Sequence, residues 1–114
     1  MIPFVDLRSQ YLSIKPEIDA AVLEVFDTTQ FVLGNAVTAF EKLFASYCRV
    51  EHALGVNSGT SALHLALLAA GVGRGDEVIT TPFTFVATVS AIDYSGAKTV
   101  FVDIDPKTLT IDPA

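Results

Sequence analysis

Apolar positions recur at helical spacing across residues 16–27, where Ile18, Ala21, Val22, Val25 and Phe26 stand at i, i+3, i+4, i+7 and i+8. Pro16 suits a first helical position. Phe31, Val32, Leu33 and Gly34 form an apolar connector that ends in glycine. Asn35 is placed to cap a second helix, with Val37, Phe40, Phe44 and Tyr47 on one face. Glu17 and Glu24 on the first helix, and Glu41 and Lys42 on the second, predict a solvated opposite face for each.

The pattern changes after residue 50. Residues 53–56 (Ala-Leu-Gly-Val) read as a short buried strand, followed by turn chemistry at Asn57, Ser58 and Gly59. Residues 60–70 are apolar almost all round, which predicts a helix buried on most sides. A glycine-rich stretch, Gly71-Val72-Gly73-Arg74-Gly75-Asp76, stops it. Residues 77–80 predict a second strand, 81–84 a loop, 85–94 a helix stopped at Ser95 and Gly96, and 98–103 a third strand. Strands alternating with helices predict an α/β fold with βαβ crossovers and a parallel sheet. The expected organisation is an N-terminal helical segment over 1–50 and the first, incomplete part of a larger α/β domain over 51–114.

Composition sharpens this picture. The chain has 114 residues, 51% of them hydrophobic and 18% charged, which favours a packed core over disorder. Its mean hydropathy of +0.50 is high for a chain this short, whose surface must be mostly polar. The longest apolar run, residues 62–73, is broken only by His64 and falls short of the ~18 residues a membrane span needs. Parallel strands buried under helices explain the hydropathy instead. Three strands without closing partners would leave bare edges, and a fresh extended segment begins at residues 108–111; both fit an N-terminal piece of a larger protein. The first residues carry no basic region or long apolar core, so no secretory signal is expected. A single cysteine offers no disulfide framework, and a reducing cytoplasm fits best. The net charge of −6 argues against nucleic acid as a partner.

Ligands of open α/β sheets bind beyond the carboxyl ends of the strands. That rule selects three places: residues 57–61, 81–85 and 103–105. In the first, Asn-Ser-Gly-Thr-Ser runs straight into a helix whose first turn has free N–H groups and a positive dipole end. Gly59 allows an anion close to the backbone, and Thr60 and Ser61 add hydroxyl donors. These residues suit a phosphate without any Lys or Arg; an ordinary helix cap explains the same residue types equally well. In the second place, Phe83 and Phe85 flank Thr84. Either ring can stack on a flat ligand, or one or both can be core.

Other candidates carry less. The Gly71–Gly75 stretch has the wrong glycine spacing for a dinucleotide fingerprint and follows a helix rather than a strand; a nucleotide-binding domain of another family is disfavoured on that ground. No phosphate-binding Gly-Lys-Ser/Thr occurs. His52 and His64 lack neighbours at metal-ligand spacing, so no metal site is expected. His64 reads as a packed helix residue and Cys48 as core. Asp103 and Asp105 are assigned no catalytic role, because Asp105-Pro106 is an ordinary turn opener.

Several stretches together resemble the start of the DegT/DnrJ/EryC1/StrS family, sugar aminotransferases of pyridoxal-phosphate fold type I. They are Pro3-Phe4-Val5-Asp6-Leu7; Phe31-Val32-Leu33-Gly34; Phe40-Glu41 with Phe44-Ala45-Ser46-Tyr47; and Asn57-Ser58-Gly59-Thr60-Ser61-Ala62-Leu63. Gly75-Asp76-Glu77-Val78-Ile79, Pro82-Phe83-Thr84-Phe85-Val86-Ala87-Thr88 and Val100-Phe101-Val102-Asp103-Ile104-Asp105 continue the match.

The resemblance implies pyridoxal 5'-phosphate as cofactor, with Gly59, Thr60 and Ser61 on its phosphate and Phe85 stacked on its ring. It implies a homodimer with residues 31–34 near the active-site mouth. It implies transfer of an amino group from glutamate or glutamine to a nucleotide-linked keto sugar, in polysaccharide or secondary-metabolite biosynthesis. The family's lysine and ring-nitrogen carboxylate have no counterpart here: none of Lys15, Lys42, Lys98 or Lys107 occupies a matching position. Relatives with histidine in place of that lysine are sugar dehydratases, and other members have been described as regulatory. A dehydratase, or a truncated regulatory or binding module without catalysis, is therefore the alternative.

Overall fold

The computed structural model describes residues 4–113; Pro3, part of the family resemblance, lies outside them. The chain divides into two compact units, one ending at Gly55 and one beginning at Val56.

The first unit is helical. α1 (Leu7–Ser13) starts at Asp6, whose carboxylate accepts from the Ser9 N–H at 3.0 Å and the Ser9 hydroxyl at 2.6 Å. α2 (Lys15–Thr28) carries Pro16 in its first turn, as its sequence predicts. Tyr11 of α1 donates to Asp19 of α2 at 2.8 Å, and Lys15 ion-pairs with the same carboxylate. The α2 helix ends on Thr29 in the left-handed region.

α3 (Asn35–Cys48) begins differently from the expectation. Gly34 is its N-cap, and Asn35 is already helical; its N–H is satisfied by the Gln30 side-chain carbonyl at 3.0 Å. Gly34 is buried because the chain folds back tightly here: a Cβ on it would lie 2.6 Å from the Gln30 carbonyl oxygen. The expected apolar face of α3 is a ladder of rings, with Phe40–Phe44 centroids 5.6 Å apart and Phe44–Tyr47 6.4 Å apart. All three rings are exposed, and so is Cys48, which is therefore not core. The face of α3 that is covered is the one carrying Ala45, which is buried.

Residues 53–56 do not form the expected strand. Among the described residues no strand pairs with them. Gly55 instead gives its N–H to the Glu41 carboxylate at 2.8 Å.

The second unit is α/β. α4 (Gly59–Ala69) is followed by β1 (Glu77–Thr80), α5 (Val86–Ser95) and β2 (Lys98–Phe101). The strands pair in parallel, with Glu77 opposite Lys98 and Thr80 opposite Phe101. The Lys98 ammonium reaches Glu77 at 2.7 Å across the first rung. α4 ends at a glycine stop: Gly71 has φ +78°, and the Val72 N–H returns to the Leu67 carbonyl at 3.0 Å. The glycine-rich stretch then closes a tight turn, with Asp76 N–H on the Gly73 carbonyl and Gly73 N–H on the Asp76 carboxylate. It holds no dinucleotide-type strand-to-helix turn.

α5 packs against both α4 and β2 through small residues, and its Ala87, Ala91 and Ile92 are buried. α4 is less covered than its all-round apolar sequence predicts: Leu65 and Leu68 remain 48% and 47% exposed. Within the second unit its closest packing is against α5. Beyond β2, Ile104 and Ile111 make an isolated antiparallel bridge. Between them Asp105 is a turn opener, its carboxylate accepting from the Lys107 and Thr108 N–H groups at 2.7 and 3.0 Å. Those two N–H groups, Thr108 first, hold the Asp105 carboxyl below its ordinary range.

Two outcomes follow, both measurable on the protein expressed from its full reading frame. Gly34→Ala forces its Cβ into the Gln30 backbone and should cost about 1–3 kcal/mol in a urea titration; no change would mean that the chain does not turn as described. The Ser9 hydroxyl, then its N–H, hold the Asp6 carboxyl below its ordinary value of 3.8. A depressed carboxylate stabilises above its unfolded pKa and stops doing so as pH falls through the folded one. The Ser9 amide should therefore lose hydrogen-exchange protection only below about pH 4, and Asp6→Asn should shift that profile.

Candidate functional site

The start of α4 has three amides to satisfy and one side chain placed to do it. Ser58 is the N-cap, in extended conformation, and its hydroxyl oxygen accepts from the Ser61 N–H at 3.1 Å. The Ala62 N–H takes the Ser58 carbonyl at 3.0 Å. The Gly59 and Thr60 N–H groups have no partner among the described residues. A Cβ on Gly59 would meet nothing within 4 Å, so the side of the turn at Gly59 is open.

Hydroxyls complete the arrangement. Ser58 uses its lone pair on the Ser61 N–H and its proton on the Ser61 oxygen, 3.1 Å away. The Ser61 hydroxyl proton is thereby left to point elsewhere. Thr60 and Ser61 are half-buried, and the Thr60 hydroxyl has no partner among the described residues. The first turn of α4 thus offers two amides and two hydroxyls, all neutral donors, at a positive helix end. Sequence reasoning placed Gly59, Thr60 and Ser61 here but missed the part of Ser58. The signal was present in Asn57-Ser58-Gly59: a serine directly before a helical run is a capping residue. The cap also removes the Ser61 N–H from the donors expected for an anion.

α5 begins at the carboxyl end of β1. Phe85 is its N-cap in extended conformation, and the Thr84 and Thr88 hydroxyls lie 3.0 Å apart across it. Leu63 of α4, Thr88 of α5 and Thr80 at the end of β1 border one apolar hollow of about 250 Å³. The hollow lies between α4, α5 and β1, and α5 starts just beyond the carboxyl end of β1, where ligands of such sheets bind. Phe83 and Phe85 are 94% and 77% exposed. Neither ring packs into a core, so both are free to meet a flat ligand. His64 meets Tyr94 edge-on, with centroids 5.8 Å apart, as a packed helix residue does.

Comparison with known proteins places this arrangement. A profile of the DegT/DnrJ/EryC1/StrS aminotransferase family matches residues 12–114, and the chain belongs to that family. Among its relatives, a pleiotropic regulatory protein of Geobacillus stearothermophilus is 52% identical over 113 residues, which are 99% of this chain and 30% of the relative. A dTDP-3-amino-3,4,6-trideoxy-alpha-D-glucose transaminase of Streptomyces venezuelae is 43% identical over 112 residues, covering 98% of this chain and 30% of the relative. The solved structure of S. venezuelae DesV superposes with a TM-score of 0.92 at 43% identity, over 98% of this chain and 30% of DesV. That of NtdA from Bacillus subtilis, solved with its cofactor PMP bound, does so at 0.87 and 35% identity, over 98% of this chain and 26% of NtdA. Over the matched residues the chain has the α/β fold of these solved structures. The chain spans about 30% of the length of its relatives.

The cap makes a direct prediction. Ser58→Ala should destabilise by about 1 kcal/mol and Ser58→Gly by only a few tenths, read as shifts of a denaturation midpoint. No loss for Ser58→Ala would mean that the hydroxyl does not cap α4.

Proposed function

We propose that this chain is the N-terminal part of a pyridoxal-phosphate-dependent aminotransferase acting on a nucleotide-linked keto sugar. In this reading glutamate or glutamine gives the amino group, in polysaccharide or secondary-metabolite biosynthesis. Residues 1–50 are the helical segment and 51–114 the beginning of the large cofactor-binding domain. The whole protein works as a cytoplasmic homodimer, with residues 31–34 near the active-site mouth. Among the described residues no helix is long and apolar enough to cross a membrane.

The observation that carries the proposal is the first turn of α4, in a chain of this family. Its two free amides and two hydroxyls fit a phosphate, and the open space over Gly59 leaves room for one. Gly59 and Thr60 hold phosphate oxygens through N–H, and Thr60 and Ser61 through O–H. The α4 dipole adds attraction for the anion. Phe85 would stack on the pyridine ring and keep water from it. The bound cofactor supplies an electron sink for the carbon that exchanges its amino group. The lysine that moves the proton in this family is not among these residues, so their task is to anchor and orient.

The relative named as a pleiotropic regulatory protein, at 52% identity, favours a second reading, in which the same fold serves regulation. A sugar dehydratase is the variant of the first reading in which amino transfer is lost.

The test is the visible spectrum of the full reading frame product with added pyridoxal phosphate. The aminotransferase reading expects a protein-bound cofactor band that glutamate or glutamine bleaches and a nucleotide-linked keto sugar restores. A bound cofactor that no amino donor bleaches would contradict amino transfer and leave the dehydratase or regulatory reading. Phe85→Ala should weaken cofactor binding roughly three- to tenfold, the loss of one aromatic stack.

A further inference from the structure

We propose that Tyr11, Lys15 and Asp19 form a side-chain latch that holds α1 to α2 and makes residues 4–13 a hinged arm, with Ile14 as the hinge. The latch does not depend on the aminotransferase reading. Pro16 has no N–H and cannot carry on a helix begun at Leu7. The backbone changes over at Ile14, with φ −121° and ψ 14°. The Ile14 N–H closes α1 on the Tyr11 carbonyl at 3.2 Å, and the Ile14 carbonyl opens α2 by accepting from the Ile18 N–H at 3.1 Å. Side chains then bridge the break. The Tyr11 hydroxyl donates to one Asp19 oxygen at 2.8 Å. The Lys15 ammonium pairs with the other and lies 5.4 Å from the centre of the Tyr11 ring. In an unbroken helix residues 11 and 19 would stand ~12 Å apart along the axis, with the Tyr11 side chain leaning away from Asp19. The contact forms because the chain bends at Ile14.

Apolar burial does not account for α1. None of its residues is buried, and Leu7 and Leu12 are 69% and 53% exposed. A helix of seven residues is too short to persist by itself in water. The Asp6 cap supports one end of it and the latch the other. Asp19 is the point both partners share. Lys15 first, then Tyr11, hold its carboxyl below the ordinary value, so it stays charged at neutral pH and the latch stays closed. With the latch open, residues 4–13 fray as a unit, while α2, fourteen residues long, persists.

The experiment is hydrogen exchange on the full reading frame product, read at the amides of residues 11–14 and, for comparison, 22–28. Tyr11→Phe keeps the ring beside Lys15 and removes the hydroxyl. It should speed exchange at residues 11–14 roughly threefold to tenfold, the loss of one hydrogen bond to a charged but partly exposed group. Residues 22–28 should not change. Trypsin should cut after Arg8 faster by a similar factor, because cleavage follows the population of the open form. Asp19→Ala should have at least the effect of Tyr11→Phe, and in the Asp19→Ala background Tyr11→Phe should add nothing further. Leu12→Ala leaves the latch intact and should move neither readout.

Wild-type exchange in Tyr11→Phe would overturn the latch. So would full additivity of Tyr11→Phe and Asp19→Ala, since the two side chains would then act separately. Equal acceleration at residues 22–28 would mean that α1 and α2 open as one body, without a hinge at Ile14. A loss in Leu12→Ala as large as that in Tyr11→Phe would mean that apolar cover, rather than the latch, holds the arm.

Discussion

An α-helix cannot satisfy its own first amides, and the second unit of this protein is organised around where that deficit falls. At the start of α4 one amide is given to Ser58 and two have no partner among the described residues. The same neighbourhood holds the end of β1 and the start of α5, because two parallel strands joined through a helix bring helix starts to the strands' carboxyl ends. A neutral, donor-rich helix end suits an acidic chain. With a net charge of −6, the chain offers a phosphate aligned N–H and O–H dipoles rather than a basic patch. A single Gly without a Cβ keeps the approach open.

Much of this was legible in the residues. Pro16, the glycine stops at Gly71 and Gly96, and the apolar periodicity of residues 16–27 place helices close to where they occur. The β1 and β2 strands follow from short apolar runs bounded by turn residues. α1 was not foreseen, since Leu7–Ser13 is short and has no apolar stripe; its signal was the Asp6 cap three residues before Ser9. Residues 53–56 have strand composition but no partner strand among the described residues, and strand formation needs the neighbour as much as the sequence. At the site, residue types pointed to Gly59, Thr60 and Ser61. Which donors are free depends on the Ser58 rotamer, and spacing alone does not carry that.

Burial was the least legible property. Half the residues are hydrophobic, yet the buried apolar side chains among those described are Ala45, Ala87, Ala91, Ile92 and Ala97. Four of these are alanines, which allow close approach but bury little area. Leu65 and Leu68 of α4 and the rings of α3 remain exposed. Sequence pattern tells which residues seek cover; it does not tell what supplies it. The chain spans about 30% of the length of its relatives. A surface this apolar is what the proposed function expects of an N-terminal part that the rest of the protein covers.

The most direct test of the account is a crystal structure of the full reading frame product with pyridoxal phosphate bound. The account predicts the phosphorus over the first turn of α4, its oxygens within hydrogen-bond distance of the Gly59 and Thr60 amides and of the Ser61 hydroxyl. The Ser61 amide should still be turned to Ser58. A phosphate bound at a basic cluster elsewhere, with the start of α4 left to solvent, would contradict it.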